Sequence, residues 1–476
     1  MHRTSIPLLF LLAAFWALAT PVLVCGSTTP MLSAGSGHVV VLKEDGSVWA
    51  WGYNGRGQLG DGTLRSASSP VMVHNLDRVK MVSAGFSSNL ALIEDGTVWG
   101  WGANNDGQLG TILAKQISQA SPIPGLNRAT AVSMGATSGA VLIDDATVMV
   151  WGRNKDGFLG TGSYKQVIAP SPVKGLSDVA GIVAGPSFFL AYTYDCSLWA
   201  WGRNKFGQLG DGTSRNWKKP HRSTLRACFS GLVADNHVVA LEAEGKVWTW
   251  GYNREGQLGA GDTVNREKPE VVPGLANITA IAGEQHTLAL ASDGTVWSWG
   301  LNNYGQLGDG TIRNRKAPVQ VLGLSKIRSI AAGSYFSLAQ RADGTVWSWG
   351  LNNYGQLGDG TQDNRSVPVQ VLGFDGHGFF NLRDSSSSED LDHQIYFSAT
   401  PASGEAPLKV SFQAVLPQGL KPMGVEWDFG DGDLSREIDP THIYQSSGSY
   451  IATLTVKFSE DDYKESMKNI TVSGAW

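Results

Sequence analysis

Histidine, aspartate and cysteine are the side chains here that could bind a metal or move a proton, and three histidines recur at matching places. His38, His237 and His286 align with Ser88, Ser138, Phe188 and Phe336, one position per unit of a long internal repeat. A ring of imidazoles could hold a metal ion or relay protons. Four of the seven aligned positions carry no ligand of that type, so the histidines read as hydrogen-bonded structural groups. The pairs Asp61–Gly62, Asp211–Gly212, Asp309–Gly310 and Asp359–Gly360 lack the dense carboxylate spacing of a calcium loop and read as turn chemistry. Asp428, Asp431 and Asp433 lie closer together and are a minor candidate for bound Ca²⁺. Cys196 and Cys228 have no zinc spacing and read as two buried free thiols. No nucleophile motif and no phosphate-binding loop occurs, so no catalytic residue, metal ligand or cofactor is assigned.

A different chemistry, recognition, is suggested by Arg215 to Arg226, which reads RNWKKPHRSTLR. Aromatic plus basic composition is enriched at interaction hot spots. The stretch is expected to be a loop joining the fourth and fifth repeats, with Trp217, Lys218, Lys219 and Arg222 as partner-binding residues. Trp217 is expected to be exposed, so that Trp217→Ala leaves stability within about 0.5 kcal/mol of the natural protein.

The elements that position these residues are repeats. Asp293 to Thr311 reads DGTVWSWGLNNYGQLGDGT and returns unchanged at Asp343 to Thr361. The copies begin at 49, 99, 149, 199, 248, 297 and 347, in steps of 49 or 50. In one unit, His286–Ala291 and Val296–Trp299 alternate around an Asp-Gly turn, a strong hairpin signal. Pro318–Leu322 reads as an outer strand, and Ile327–Ala332 as the next inner one. Sheets this small must stack on their neighbours, which points to propeller blades. Gln58, Gln108, Gln208, Gln257, Gln306 and Gln356 are expected to bond backbone and pack between blades. The first unit has no outer run before it, and the last ends with one that no following unit can join. Residues 368–372 are therefore expected to pair with the blade begun by 31–42, closing the ring.

The Gly283–His286 stretch, Trp297–Gly300 and Asn302–Gly308 resemble the repeats of the regulator of chromosome condensation family, over about 31–374. The resemblance implies a seven-bladed β-propeller. Some members of that family are nuclear exchange factors for a small GTPase, acting through a wedge inserted in one blade. The uniform repeat steps leave no room for such an insertion. A secreted inhibitor of β-lactamases has a similar propeller. The third unit departs from the pattern, with Asp144–Asp145–Ala146–Thr147 at its turn and Met149 and Phe158 in place of Trp and Gln. Residues 394–476 resemble a polycystic kidney disease (PKD) domain, on Ser403–Val410, Trp427–Gly432, Pro440–Tyr444 and Gly448–Val456. That resemblance implies an immunoglobulin-like sandwich. The fold class expected is all-β: a seven-bladed β-propeller, a polar linker at 375–393, and a β-sandwich.

Arg3 followed by the apolar run Ile6–Leu18 reads as a signal peptide over 1–26, with a lipid anchor at Cys25 as the alternative. No later run is long enough to span a membrane. A net charge of −5 over 476 residues gives no footprint for nucleic acid. The function expected is an exported, non-enzymatic binding scaffold at the cell surface, in the medium or in the periplasm, its partner an unknown protein or a cell-surface glycan. The alternatives are an extracellular hydrolase or lyase with an accessory PKD-like domain, and an inhibitor of an exported enzyme.

Overall fold

The computed structural model describes residues 28–111, 114–155, 157–376, 378–383, 396–401, 403–416, 422–458 and 463–474. The expected signal peptide, the lipid-anchor cysteine and most of the expected linker lie outside the described residues. The chain divides into two compact units, 1–384 and 385–476. Among the described residues no helix is long and apolar enough to cross a membrane.

The first unit holds seven four-stranded antiparallel sheets, each made from consecutive strands. In blade 6 the strands are Ile278–Gly283, His286–Ala291, Val296–Gly300 and Arg315–Gln320. The Asp-Gly turn works as its residue types dictate. Asp293 Oδ1 accepts from the Thr295 backbone N–H at 2.9 Å, and Gly294 takes a φ of 84° that a side chain would strain. The two tryptophans of the third strand share a face. Trp297 is half-buried, while Trp299 is fully enclosed against the preceding blade.

The ring closes differently from expectation. Arg365–Gln370 pairs with Val346–Gly350 of its own blade, and blade 1 has its own outer strand, Ala67–Met72, in register with Val48–Gly52. The loop after each Trp-x-Trp-Gly run turns the chain back along the same strand, so every blade is contiguous and no strand is left over. The first and last blades meet through packing of their inner strands. Trp51 Nε1 donates to the Gln356 carbonyl across this seam at 3.0 Å. A strap then crosses it. Leu372 bridges to Phe379, Thr345 to Asn381, and the Glu44 N–H donates to the Leu382 carbonyl. Residues 378–383, expected to be linker, therefore belong to the propeller.

The second unit is a sandwich. One sheet has three strands, Tyr396–Thr400, Leu408–Val415 and Thr441–Tyr444. The other has five, dominated by Gly448–Lys457 and Tyr463–Ser473. Trp427, Phe412 and Tyr444 fill the space between them.

Candidate functional site

The three aligned histidines are buried, and each reaches the next blade. His38 Nε2 meets Asn89 Oδ1 at 2.7 Å, His237 Nε2 meets Thr287 Oγ1 at 2.9 Å, and His286 Nε2 meets Ser337 Oγ at 2.6 Å. Thr287 and Ser337 donate their own protons to the carbonyls of Gln257 and Gln306. They must accept from histidine, which fixes each imidazole as the neutral Nε2–H tautomer. Burial lowers the pKa of His38 to about 4 and those of His237 and His286 to about 3. Such groups are uncharged at neutral pH, and Nε2, which bears the ring proton, has no lone pair for a metal. They are structural groups, as the sequence suggested, and the structure shows that each ties its blade to the next.

The glutamines act as expected. Each Gln-Leu-Gly carbonyl accepts from the enclosed tryptophan of the next blade: Gln58 from Trp101, Gln108 from Trp151, Gln208 from Trp250, Gln257 from Trp299 and Gln306 from Trp349, at 2.8 to 3.0 Å. Trp201 is the exception: its Nε1 has no partner. Phe158 stands where the other blades have Gln, and Phe189 lies parallel to the Trp201 ring at 5.7 Å. The Asp-Gly pairs likewise form turns, with Asp61, Asp211, Asp309 and Asp359 each accepting from the threonine two residues on.

One acidic pair was missed. Asp235 and Glu284 sit two positions before His237 and His286, where other blades carry Ser36, Phe86, Ala136, Pro186 and Ser334. That contrast within the repeat was readable. Burial pushes the Asp235 carboxyl up to about 7. Burial, then the nearby Asp235 charge, pushes Glu284 up to about 8. Glu284 Oε2 is covered and has no hydrogen-bond partner. Gln285 Nε2 lies 3.4 Å from Asp235 Oδ2.

The cysteine expectation needs correction, and the aspartate cluster changes its membership. Cys196 and Cys228 form a disulfide with Cα atoms 4.6 Å apart. They are brought together because Cys196 occupies the turn of blade 4 and Cys228 leads into blade 5. In the sandwich, Asp431 and Asp433 approach His442, while Asp428 binds the Gly430 N–H instead. Asp431 Oδ2 lies 2.7 Å from His442 Nε2, and His442 stacks on Phe429 at 4.2 Å. Asp431, Asp433 and His442 place their ligand atoms within 4.8 Å of one another, a spacing that could hold a metal ion.

The basic stretch is not a loop. Trp217–Arg226 is the outer strand of blade 4, ten residues long against six or seven elsewhere. Trp217 is half-buried rather than exposed. It packs on the blade 4–5 core, donates from Nε1 to Asp211 Oδ2 at 2.7 Å, and stacks on His221 at 4.1 Å. Lys218 and Lys219 are exposed beside it. Arg222 lies further down the strand, bonded to Ser197 and 3.6 Å from Asp195. The structure thus groups Trp217, Lys218 and Lys219, and sets Arg222 apart.

Residues 19–325 match the RCC1-like domain, and 327–356 and 343–386 match the regulator of chromosome condensation (RCC1) repeat. The chain belongs to the RCC1-like domain family. Residues 396–473 match the PKD domain. Yeast Prp20p from Saccharomyces cerevisiae, studied for binding Gsp1p and histones, superposes with a TM-score of 0.61 at 24% identity, over 73% of this chain and 87% of that one. Human WBSCR16 superposes with a TM-score of 0.62 at 21% identity, over 68% and 94%. These likenesses establish the fold. Collagenase ColQ1 of Bacillus cereus is 49% identical over 112 residues, 20% of this chain and 11% of the collagenase. Collagenase ColA of the same species is 44% identical over 74 residues, 15% and 8% respectively. The RCC1-like chain therefore spans about a tenth of these relatives.

Proposed function

We propose that this RCC1-like protein is an exported, non-enzymatic scaffold that binds a partner on the face of blades 3 to 5, through Trp217, Lys218 and Lys219, with Arg222 at the margin. The observation that carries this reading is the lengthened outer strand of blade 4. It is tied at its far end by the Cys196–Cys228 bridge and anchored by Trp217, and it presents two exposed lysines that form no ion pair among the described residues. Function in such folds resides in what a rigid frame displays. The PKD domain and its likeness to part of two collagenases support an extracellular setting. Asp235 and Glu284 give the hydrolase alternative its strongest feature, two carboxyls of raised pKa. Asp235 is only 3% exposed, which weighs against substrate access. Inhibition of an exported enzyme would use the same blade 3–5 face.

The test is capture of partners from the culture medium by the full chain and by Lys218→Glu/Lys219→Glu. The variant is expected to lose the specific partner while keeping the unfolding midpoint of the natural protein. Unchanged capture would place the binding face elsewhere.

A further inference from the structure

Beside that strand lies a depression of about 590 Å³ lined by Arg203, Lys205, Ser214, Arg215 and Asn216. Three cations, a hydroxyl and an amide line it, without a carboxylate. Among the described residues none of the three cations forms an ion pair, although Lys205 lies over the Phe206 ring at 5.8 Å and Arg215 over Trp217 at 5.9 Å. We infer that this depression is a binding site for the carboxylates of an acidic protein segment, which rests on the reading that the blade 3–5 face binds a partner.

The site is built rather than incidental. Its loop is held by buried Asn204, whose Oδ1 accepts from the Leu209 N–H at 2.9 Å and whose Nδ2 donates to Asp211 and the Thr213 carbonyl. The Asn204 N–H is in turn bonded to Asn216 Oδ1 at 2.8 Å. Blades 5, 6 and 7 have the same frame, with Asn253, Asn302 and Asn352 bonded to Asn265, Asn314 and Asn364. The positions equivalent to Arg203, Lys205 and Arg215 can therefore be compared around the ring. They are Tyr252, Arg254 and Val264 in blade 5, Leu301, Asn303 and Arg313 in blade 6, and Leu351, Asn353 and Asp363 in blade 7. Blade 1 has Tyr53, Gly55 and Arg65, and blade 2 has Ala103, Asn105 and Lys115. Only blade 3, with Arg153, Lys155 and Lys165, repeats the full basic set. The frame does not demand cations, yet two adjacent blades carry three each.

The choice of an acidic peptide over a sugar chain follows from the rings. Sugar recognition uses a free aromatic face, and Trp217 has His221 stacked on its ring and Arg215 over it as well. Tyr164, 62% exposed, carries Lys218 over its ring at 5.2 Å. These rings carry cations, and a stacked guanidinium keeps its fork free for bidentate carboxylate bonding. The neighbouring depression adds Asp262, Glu267 and Glu270, so the acid-free surface ends at blade 5.

The test is fluorescence anisotropy of a labelled ten-residue polyglutamate peptide with the full chain at low and moderate salt. Binding is expected to weaken with salt and to fall about tenfold or more in Arg203→Ala/Lys205→Ala/Arg215→Ala, as for a hydrogen-bonded charge cluster. Lys174→Ala, on another exposed turn, should bind as the natural protein does. Equal binding by the triple variant, or no peptide binding at low salt, overturns the inference. So does binding of a heparin oligosaccharide or a DNA duplex that the triple variant loses while the peptide stays unbound. If the triple variant still captures the partner from medium and Lys218→Glu/Lys219→Glu does not, the partner face stands and the carboxylate site falls.

Discussion

Trp201 buries the same indole as its six counterparts but makes no hydrogen bond to a carbonyl of the preceding blade, as they do. Replacing Trp299 by Phe removes ring volume and one hydrogen bond, whereas replacing Trp201 by Phe removes ring volume alone. Denaturant unfolding should therefore find Trp299→Phe costlier than Trp201→Phe by about 1 kcal/mol. Equal costs would mean that the inter-blade bond adds nothing net. Asp235 and Glu284 predict a pH effect. Their folded pKa values, about 7 and about 8, lie above those of unfolded carboxyls, so the native state holds more protons between about pH 4 and 8. Stability from this pair is fully present below about pH 4, falls as pH rises, and is lost once pH passes the raised folded values of about 7 and 8. Glu284→Gln should flatten that decline, and an unchanged slope in unfolding midpoints between pH 5 and 8 would contradict it. The histidine ties were legible from four mismatched positions in the ring. The acid pair was equally legible, but only by comparing turn residues that no motif contains.

At the level of single elements, the turn joining the second and third strands of each blade needs a left-handed residue. Gly46, Gly96, Gly245, Gly294 and Gly344 supply it with φ between 83° and 91°. Ala146 and Cys196 take the same place at 64° and 61°, with a side chain that disfavours it. Ala146→Gly should raise stability by about 1 kcal/mol, read from the shift in urea midpoint, and a loss would show that the blade 3 turn is not strained. Cys196 is held there by Cys228, 32 residues away. In the chain-entropy account a loop of that size contributes about 3 to 4 kcal/mol. Cys196→Ser/Cys228→Ser should lose that much, and should loosen the strand carrying Lys218 and Lys219 more than blades 6 and 7 in hydrogen exchange. The cysteine in the glycine slot marked this turn as unusual in the sequence. Its pairing was hidden, because strand length and return angle decide which turn meets which linker. The same applies to Trp217–Arg226, where basic residues obscured an outer strand that Pro220, aligned with Pro318 and Pro368, could have marked, and whose pairing shifts register twice.

The whole ring has a period that sequence shows and a phase that it conceals. A repeat can be cut at any point and remain periodic, so the outer run after each Trp-x-Trp-Gly could have belonged to either blade. The deciding groups are Asn54 and its equivalents, which fold the following loop back onto its own strand. With every blade self-contained, no strand ladder joins the last blade to the first among the described residues. The seam then depends on side chains, on the Gly360 N–H donating to the Ser68 carbonyl at 3.0 Å, and on the strap after blade 7. Phe380 is buried against Trp49 and Trp51, with ring centroids 5.9 and 5.7 Å away, and Leu382 is fully enclosed. If the strap latches the ring, Phe380→Ala in the full chain should cost about 3 to 5 kcal/mol, the range for emptying a buried aromatic site. Its effect should appear first as faster hydrogen exchange in blades 1 and 7, which flank the seam, with blades 3 and 4 protected until global unfolding. A small loss spread evenly over all seven blades would show that the inner-strand contacts and the Trp51–Gln356 bond hold the ring shut without the strap.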